Sequence, residues 1–155
     1  MPLTDMLAPE AVIPALRVNG KKQALQELSE RAADVSGLPG REIFDAVLQR
    51  ERLGSTGVGD GIAIPHGKLA KCLRIFGVFA RLERAVDFEA LDGLPVDLIF
   101  LLIAPETAGA DHLKALAMIA RVLRNSTLAA QLRATRDPSA LYAVLTQTPA
   151  SNAAA

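Results

Sequence analysis

The sequence predicts an α/β (α+β) fold: a single domain built on one mixed β-sheet of four to five strands flanked by helices on both sides. The chain has 155 residues, the length of one domain, and half of them are hydrophobic. Two apolar segments in the middle of the chain have the character of strands buried on both faces. Amphipathic helical patterns precede and follow them, which favours a sheet between two helical layers.

The first third of the chain predicts an edge strand and two helices. Residues 12–18 are mainly apolar, but Pro14 cannot donate a hydrogen bond to a neighbouring strand, so this strand belongs at an edge. Asn19-Gly20 begins a helix and Gly37 ends it, whereas the second helix runs out near Leu53-Gly54. The apolar residues at helical spacing are Leu25, Leu28, Ala32 and Val35, then Ile43, Phe44, Val47 and Leu48.

The middle third predicts the rest of the sheet. A glycine-rich stretch, 54–61, leads to a short strand at 62–64. Stronger strands follow at 73–82 and 96–103, and a short strand at 86–88 would make the fifth. The segment 96–103 is almost entirely apolar, which is typical of a central strand.

The last third predicts three helices. An apolar stripe runs from Leu113 to Leu123, Asn125-Ser126 caps the next helix, and Asp137-Pro138 begins the last one. We place the domain at 1–150. The final residues, 151–155, are small and are expected to form a loose tail.

Composition excludes several classes of function. The 17 basic residues balance 17 acidic ones, so the chain lacks the basic excess of nucleic-acid binding proteins. The longest apolar run, 98–104, is far shorter than the roughly 20 residues of a membrane-spanning helix. The opening residues lack the features of a secretory signal, and Cys72 is the only cysteine. We therefore expect a cytoplasmic protein with no nucleic-acid partner and no membrane span.

His66 is the leading candidate for a reactive side chain. Pro65 has a fixed φ and keeps Ile64 extended, whereas Gly67 allows a sharp turn directly afterwards. The imidazole is therefore expected on a stiff base with space beside it. Its ordinary pKa of about 6.5 leaves a neutral nitrogen at pH 7, able to attack phosphorus without a separate base. A phosphoprotein donor would make a metal or cofactor unnecessary.

Groups that could bind a phosphoryl dianion lie around this histidine in the sequence. Arg50 offers a bidentate contact. His112 follows Asp111 at a predicted helix start, where free N–H groups and the helix dipole favour an anion. Lys68 is also close, although a solvated surface role is equally expected for it. The loop before His66 adds hydroxyl and backbone N–H donors from Ser55, Thr56, Gly57, Gly59 and Gly61.

Nucleotide and metal sites fit these residues less well. A dinucleotide-binding loop follows a strand and opens a helix, whereas the glycines at 57–61 follow a helix and precede a strand. Gly67-Lys68 lacks the Ser or Thr that completes a P-loop. A zinc site built on the two histidines would have no short ligand pair such as HxxxH or CxxC. We predict no metal and no cofactor.

The segment 50–68, RERLGSTGVGDGIAIPHGK, closely resembles the active-site stretch of enzyme IIA proteins of the bacterial phosphotransferase system. The type is the fructose–mannitol one, and the resemblance is strongest to its nitrogen-regulatory branch. It extends over nearly the whole chain, including PVDLIFLLIAP at 95–105 and DHLKAL at 111–116. The fold of that family, a mixed sheet flanked by helices, agrees with the predicted elements.

The resemblance implies roles for four residues. His66 matches the phosphorylated histidine of the family, and His112 matches its second active-site histidine. Arg50 matches the arginine that supports the phosphorylated state. Thr56 falls in the Ser-Thr-Gly signature and is implied to line the same pocket.

The resemblance also implies partners. In the nitrogen-related branch an HPr-like phosphocarrier donates the phosphoryl group. The IIA protein then regulates targets such as potassium-transport or sensor-kinase components by phosphorylation-dependent binding. Two alternatives stay open: a sugar-specific IIA component that passes phosphate to a IIB transport subunit, and a binding module that senses a small anion without being phosphorylated. A partner is expected to dock around His66, with apolar surface from Val58, Ile64 and Leu69.

Overall fold

The computed structural model describes residues 2–147, which form a six-stranded sheet and five α-helices after two short 3₁₀ turns at Leu3–Asp5 and Pro9–Ala11. The strands are β1 (Val12–Leu16), β2 (Gly57–Gly59), β3 (Ile62–Ala63), β4 (His66–Leu69), β5 (Phe76–Val86) and β6 (Val96–Pro105). The helices are α1 (Lys21–Ser36), α2 (Gly40–Arg52), α3 (Ala110–Leu123), α4 (Ser126–Ala134) and α5 (Pro138–Leu145).

The sheet is organised around β6. On one side β5 pairs with it antiparallel, and on the other side β3 and β4 pair with it in parallel, one after the other along its length. The strand β1 pairs in parallel with β5, and β2 pairs antiparallel with β3, so these two strands form the edges. The mixed sheet and the edge position of the strand that contains Pro14 are therefore confirmed.

The core lies on both faces of the sheet. Every residue from Leu98 to Ala104 is fully buried. Because successive side chains of a strand point to opposite faces, helices must cover both sides of β6. The helix α2 packs on β4, and α3 packs on β6, so two helices meet the sheet near its β4 end.

The structure has six strands where the sequence predicted four to five. Residues 57–59 lie in the predicted glycine-rich loop, and residues 66–69 follow the predicted strand at 62–64. Both segments pair as short strands, because so short a segment carries no side-chain pattern that marks backbone pairing. The segment 86–88 is not a separate strand. Val86 ends β5 and pairs with Val96, and the following residues begin the connection to β6.

The predicted helix boundaries are confirmed where capping residues set them. Gly37 ends α1 in the left-handed conformation, with φ of 79°. The side chain of Asn125 accepts from two backbone N–H groups at the start of α4, and Asp137 does the same for Ala140 in α5. The predicted tail, 151–155, lies outside the described residues. Between residues 2 and 147, no helix combines the length and apolar character needed to cross a membrane.

Candidate active site

His66 is the first residue of β4, at the point where the chain has passed Pro65. The backbone is held on both sides, because the Ile64 N–H donates to the Thr56 carbonyl (3.0 Å) and the Pro65 carbonyl accepts from the Leu102 N–H (2.9 Å). The Nδ1 atom of His66 lies 2.9 Å from the carbonyl oxygen of Ile64. A carbonyl can only accept, so this contact assigns the proton to Nδ1 and leaves the lone pair on Nε2.

His112 lies in the first turn of α3 and faces His66. The two ring centroids are 5.4 Å apart in an edge-to-face arrangement of 60°. His112 is buried, and its Nδ1 has no hydrogen-bond partner among the described residues. Topology explains the pairing: β4 lies beside the end of β6, and α3 begins shortly after β6 ends.

One face of α2 forms a wall of the cleft around these rings. The cleft has a volume of about 520 Å³. Arg50 donates from Nη1 to the carbonyl of Gly54 at 2.9 Å, which leaves its other N–H groups available to a ligand. The residues that line the cleft are Ala46, Gln49 and Arg50 on α2 and Leu53 directly after it, all at helical spacing, together with His66, Gly67, Lys68 and His112.

Both histidines are held in the neutral form. Burial lowers the pKa of His66 below its usual 6.5, and the positive charges of Arg50 and Lys68 lower it further, against a backbone hydrogen bond and a nearby carboxylate that raise it. Burial also lowers the pKa of His112, with smaller contributions from His66 and Lys68. At pH 7 two uncharged imidazoles therefore share a cleft with two cations.

The structure does not turn the hydroxyls of Thr56 and Ser55 into the cleft. Thr56 is buried, and its Oγ1–H donates to Glu51 Oε1 (2.5 Å) while its N–H donates to Oε2 (2.8 Å). The Ser55 hydroxyl donates to the Phe88 carbonyl (2.6 Å) and accepts from the Gly57 N–H (3.0 Å). These donors are committed to the protein itself, and they fix the turn that follows α2.

The structure also does not bring the other two predicted glycines to the histidines. The strand β3 pairs with β6 four residues before the position that pairs with His66, a distance of about 13 Å along the strand. Gly59 and Gly61 border β3, where a side chain on them would meet Asp92 and Arg133, respectively. Their positive φ angles shape a hairpin that leads away from the cleft rather than a loop that curls around it.

The apolar surface near the cleft differs from the predicted one. Ile64 and Leu69 are buried in the core, and Val58 is partly buried on β2, because the strands around His66 are covered by helices. Two other leucines are exposed instead. Leu53, directly after α2, is 84% exposed, and Leu113, next to the second histidine, is 67% exposed.

Sequence reasoning missed two residues near the histidines. Gln49 lines the cleft, and helical spacing from Ala46 to Leu53 could have identified it once Arg50 was placed on the same face. Glu51 is buried behind the cleft and binds Thr56, but nothing in the sequence separates it from a solvated glutamate at a helix end.

Comparisons with known proteins agree with the resemblance of the motif. The family model described as phosphoenolpyruvate-dependent sugar phosphotransferase system, EIIA 2, matches residues 5–148. A protein of Bradyrhizobium diazoefficiens named Nitrogen regulatory protein is 62% identical over 153 residues, covering 99% of this chain and 100% of that protein.

Solved structures show the same relationship. The crystal structure of nitrogen regulatory protein IIA-Ntr from Neisseria meningitidis has a TM-score of 0.87 at 34% identity, covering 92% of this chain and 97% of that one. Enzyme IIA of the mannitol system of Escherichia coli, solved in complex with phosphorylated enzyme IIB, has a TM-score of 0.76. At 19% identity, over 90% of this chain and 98% of that one, this is a likeness of fold.

The family model covers all but the ends of the chain, and the Neisseria structure matches over almost the same length. The resemblance first indicated by the 50–68 motif is therefore confirmed by both sequence and fold. This chain belongs to the enzyme IIA type 2 family of the phosphoenolpyruvate-dependent sugar phosphotransferase system.

Proposed function

We propose that this protein is a phosphohistidine carrier of the nitrogen-related phosphotransferase system, which accepts a phosphoryl group on Nε2 of His66 from an HPr-like phosphocarrier. The observation that carries the proposal is the state of the His66 ring. Its Nδ1 is bound to the Ile64 carbonyl, its Nε2 is free, and its lowered pKa keeps it uncharged. The relatives named as nitrogen regulatory proteins support the choice of branch.

The transfer step needs no base at His66. The lone pair of Nε2 attacks the phosphorus of the donor's phosphohistidine, and a new N–P bond forms as the donor's N–P bond breaks. The electron pair of the broken bond returns to the ring nitrogen of the donor. Nε2 carries no proton before the attack, and the Nδ1–H keeps its bond to Ile64 throughout. The same step in reverse passes the group onward.

The cleft offers donors for the charge of up to about −2 that arrives with the phosphoryl group. Arg50 and Lys68 supply positive charge, and the Gln49 amide lies on the same wall. His112 adds a fourth donor if its proton sits on Nε2, because that tautomer leaves only a lone pair at the buried, unpartnered Nδ1. In this proposal Thr56, Ser55 and Gly57 fix the turn after α2 and do not bind the phosphoryl group.

Phosphorylation would cancel the positive charge of the docking face, and this gives a physical basis for regulation. The cleft holds two cations before transfer, and the arriving charge of up to about −2 offsets them. A target with an acidic patch would therefore bind the unphosphorylated form better, because electrostatic complementarity is lost on phosphorylation. We propose potassium-transport or sensor-kinase components as such targets. We also propose that the protein works in the cytoplasm, because a chain with a single cysteine has no internal disulfide and so suits a reducing compartment.

The test is incubation with phosphoenolpyruvate, an enzyme I and an HPr-like carrier. We expect the chain to gain the mass of one phosphoryl group in a bond that is labile to acid and stable to alkali. His66→Ala should abolish the gain while keeping the native circular dichroism spectrum. Modification of the His66→Ala variant would overturn the assignment. A wild-type chain that binds inorganic phosphate but is never phosphorylated would favour the anion-sensing module.

The second candidate is a sugar-specific IIA component that feeds a IIB transport subunit. The name of the family, which refers to sugar phosphotransfer, favours this role. Donor preference separates the two. Faster single-turnover transfer from the nitrogen-branch carrier than from the HPr of a sugar system supports the regulatory role, and the opposite order supports transport.

A further inference from the structure

A single buried carboxylate lies directly behind the cleft. Glu51 follows Arg50 in the last turn of α2, and its side chain is 2% exposed. An ionised carboxylate is stable out of water only when it is paired and hydrogen-bonded, so its partners show what holds it there.

Three donors converge on this carboxylate. Thr56 donates from Oγ1 to Oε1 (2.5 Å) and from its backbone N–H to Oε2 (2.8 Å). The ammonium of Lys21 lies 2.8 Å from Oε2. A backbone N–H and an ammonium have no lone pair to offer, so Oε2 accepts from both of them, while Oε1 accepts from the Thr56 hydroxyl.

Lys21 is itself held in place from another direction. It is the first residue of α1, and its Nζ lies 5.2 Å from the centroid of the Phe88 ring and 3.4 Å from the Phe88 carbonyl. The exposed carboxylate of Glu89 is also 3.4 Å away. Glu51 therefore binds to a cation that the fold has already positioned.

The turn that Glu51 holds is connected by hydrogen bonds to both Arg50 and His66. On one side, the carbonyl of Gly54 accepts from Arg50 Nη1 at 2.9 Å. On the other side, the carbonyl of Thr56 accepts from the N–H of Ile64, whose own carbonyl binds Nδ1 of His66. The Arg50 guanidinium thus binds the turn directly, and the His66 imidazole binds it through Ile64, while Glu51 holds the turn at Thr56.

We infer that Glu51 is a positioning residue for phosphoryl transfer, which acts through Thr56 to hold the Arg50 guanidinium and the His66 imidazole in register. The inference rests on the proposed function. Glu51 is not among the residues that line the cleft, so its contribution is to geometry rather than to direct contact with the phosphoryl group. Its negative charge also raises the pKa of His66 slightly against the larger lowering effects.

The test is Glu51→Gln, measured by single-turnover phosphorylation. The amide keeps the size of the side chain but points an NH₂ group at one of the three donors. We expect the rate at saturating donor to fall about tenfold or more, with the Kd for the carrier unchanged within about twofold. The native circular dichroism spectrum and unfolding midpoint should be kept, which shows that the folded population is intact. The ¹⁵N signals of the Arg50 guanidinium should shift.

Two controls separate positioning from general damage. Glu89 is the other carboxylate near Lys21, and its side chain is 77% exposed. Glu89→Gln removes this charge and should leave the transfer rate unchanged. Thr56→Val removes the hydroxyl donor to Glu51 and should slow transfer, whereas Thr56→Ser keeps it and should restore the rate. If Glu51→Gln does not fold, the two Thr56 variants test the positioning role in its place.

The inference is overturned if folded Glu51→Gln transfers at the wild-type rate, or if its loss lies entirely in carrier affinity. Equal transfer rates in Thr56→Val and Thr56→Ser would also overturn the inference. Failure of the proposed function looks different, because the wild-type chain itself would then not be phosphorylated.

Discussion

At the residue scale, a backbone hydrogen bond decides which nitrogen of His66 can react. The Ile64 carbonyl binds Nδ1 at 2.9 Å, so rotation of the ring to present the other nitrogen would leave that carbonyl without its partner. His112 has the opposite arrangement, with a buried Nδ1 that has no partner in residues 2–147. The fold therefore holds the His66 ring in one orientation through Nδ1, whereas it leaves Nδ1 of His112 without a partner.

The pH dependence of transfer follows from the lowered pKa of His66. The neutral ring is the nucleophile, so the rate should fall as the pH decreases through the lowered pKa of His66, which places the acidic limb below the usual histidine pKa of about 6.5. Lys68→Met removes one of the charges that lower this pKa. We expect the acidic limb, and the His66 and His112 titrations followed by NMR, to move to higher pH.

A matched variant is Lys114→Met, which removes an exposed lysine that does not line the cleft. Its titration curves should coincide with those of the wild type. If Lys68→Met also leaves the titration curves of His66 and His112 unchanged, the Lys68 charge does not act on the histidines.

Arg50 is expected to stabilise the phosphorylated state. Arg50→Gln removes charge-assisted hydrogen bonds worth about 1.5–3 kcal/mol, or about ten- to a hundredfold in rate or lifetime. The helix should stay intact because the Arg50 side chain makes a single hydrogen bond within residues 2–147, to Gly54. Transfer kinetics and the half-life of the phosphohistidine measure the effect, and unchanged values for both would remove Arg50 from the site.

The sequence identified the residues of the site better than the direction of their side chains. The motif placed His66, His112 and Arg50 as candidates, and the structure brings these three to one cleft. It also suggested Thr56 as a lining residue, but the hydroxyl of Thr56 binds Glu51 instead. A motif fixes the identity and spacing of residues, whereas a rotamer depends on neighbours such as a buried carboxylate that local sequence does not reveal.

At the element scale, the cleft depends on how closely α2 approaches β4. Gly67 lies at the contact, where an added Cβ would be 3.2 Å from the Cβ of Ala46 and 3.3 Å from the backbone nitrogen of Val47. Backbone atoms cannot rotate away as a side chain can, so the helix itself would have to move. Since α2 carries Arg50 and Gln49, such a movement would change their position relative to His66.

Gly67→Ala should therefore reduce both stability and transfer. We expect a loss of about 1–3 kcal/mol in the free energy of unfolding, measured by urea denaturation, and a slower single-turnover rate. Gly20→Ala is the control, because no atom lies within 4 Å of the added Cβ and the backbone there is extended. A Gly67→Ala protein as stable and as fast as the Gly20→Ala protein would show that α2 does not depend on this contact.

The sequence predicts helix boundaries that are set by side chains, but it does not predict short strands that form only through backbone pairing. Gly37, Asn125 and Asp137 marked helix ends in the sequence and do so in the structure, because each makes a specific local contact. The strands β2 and β4 could not be recognised. They are short and glycine-containing, and they exist because β3 and β6 present free backbone groups beside them.

At the scale of the whole molecule, the topology assembles the site from distant segments. Since β4 pairs in parallel with the end of β6, the first residue of β4 lies beside the connection that leads into α3. The helix α2 covers the same strand from outside. The helix α2, the strand β4 and the start of α3 therefore meet at one end of β6. The exposed side chains of Leu53 and Leu113 lie beside this site.

The last prediction concerns the surface that receives the donor. Leu53 lines the cleft and is 84% exposed, so a partner that docks over His66 would bury its side chain. Leu53→Ser should weaken binding of the HPr-like carrier by about 1–2 kcal/mol, or about five- to thirtyfold in Kd, because less apolar surface is buried on docking. The transfer rate at saturating donor and the unfolding midpoint should not change.

The comparison variant is Leu73→Ser, which alters a leucine that is 94% exposed but does not line the cleft. Carrier affinity measured by calorimetry should stay at the wild-type value in this variant. If both substitutions weaken binding equally, the effect is one of general surface hydrophobicity. If neither does, the donor contacts the face around His66 without using Leu53, and docking there depends on the charges of Arg50 and Lys68 alone, which a strong decrease in affinity with rising salt would reveal.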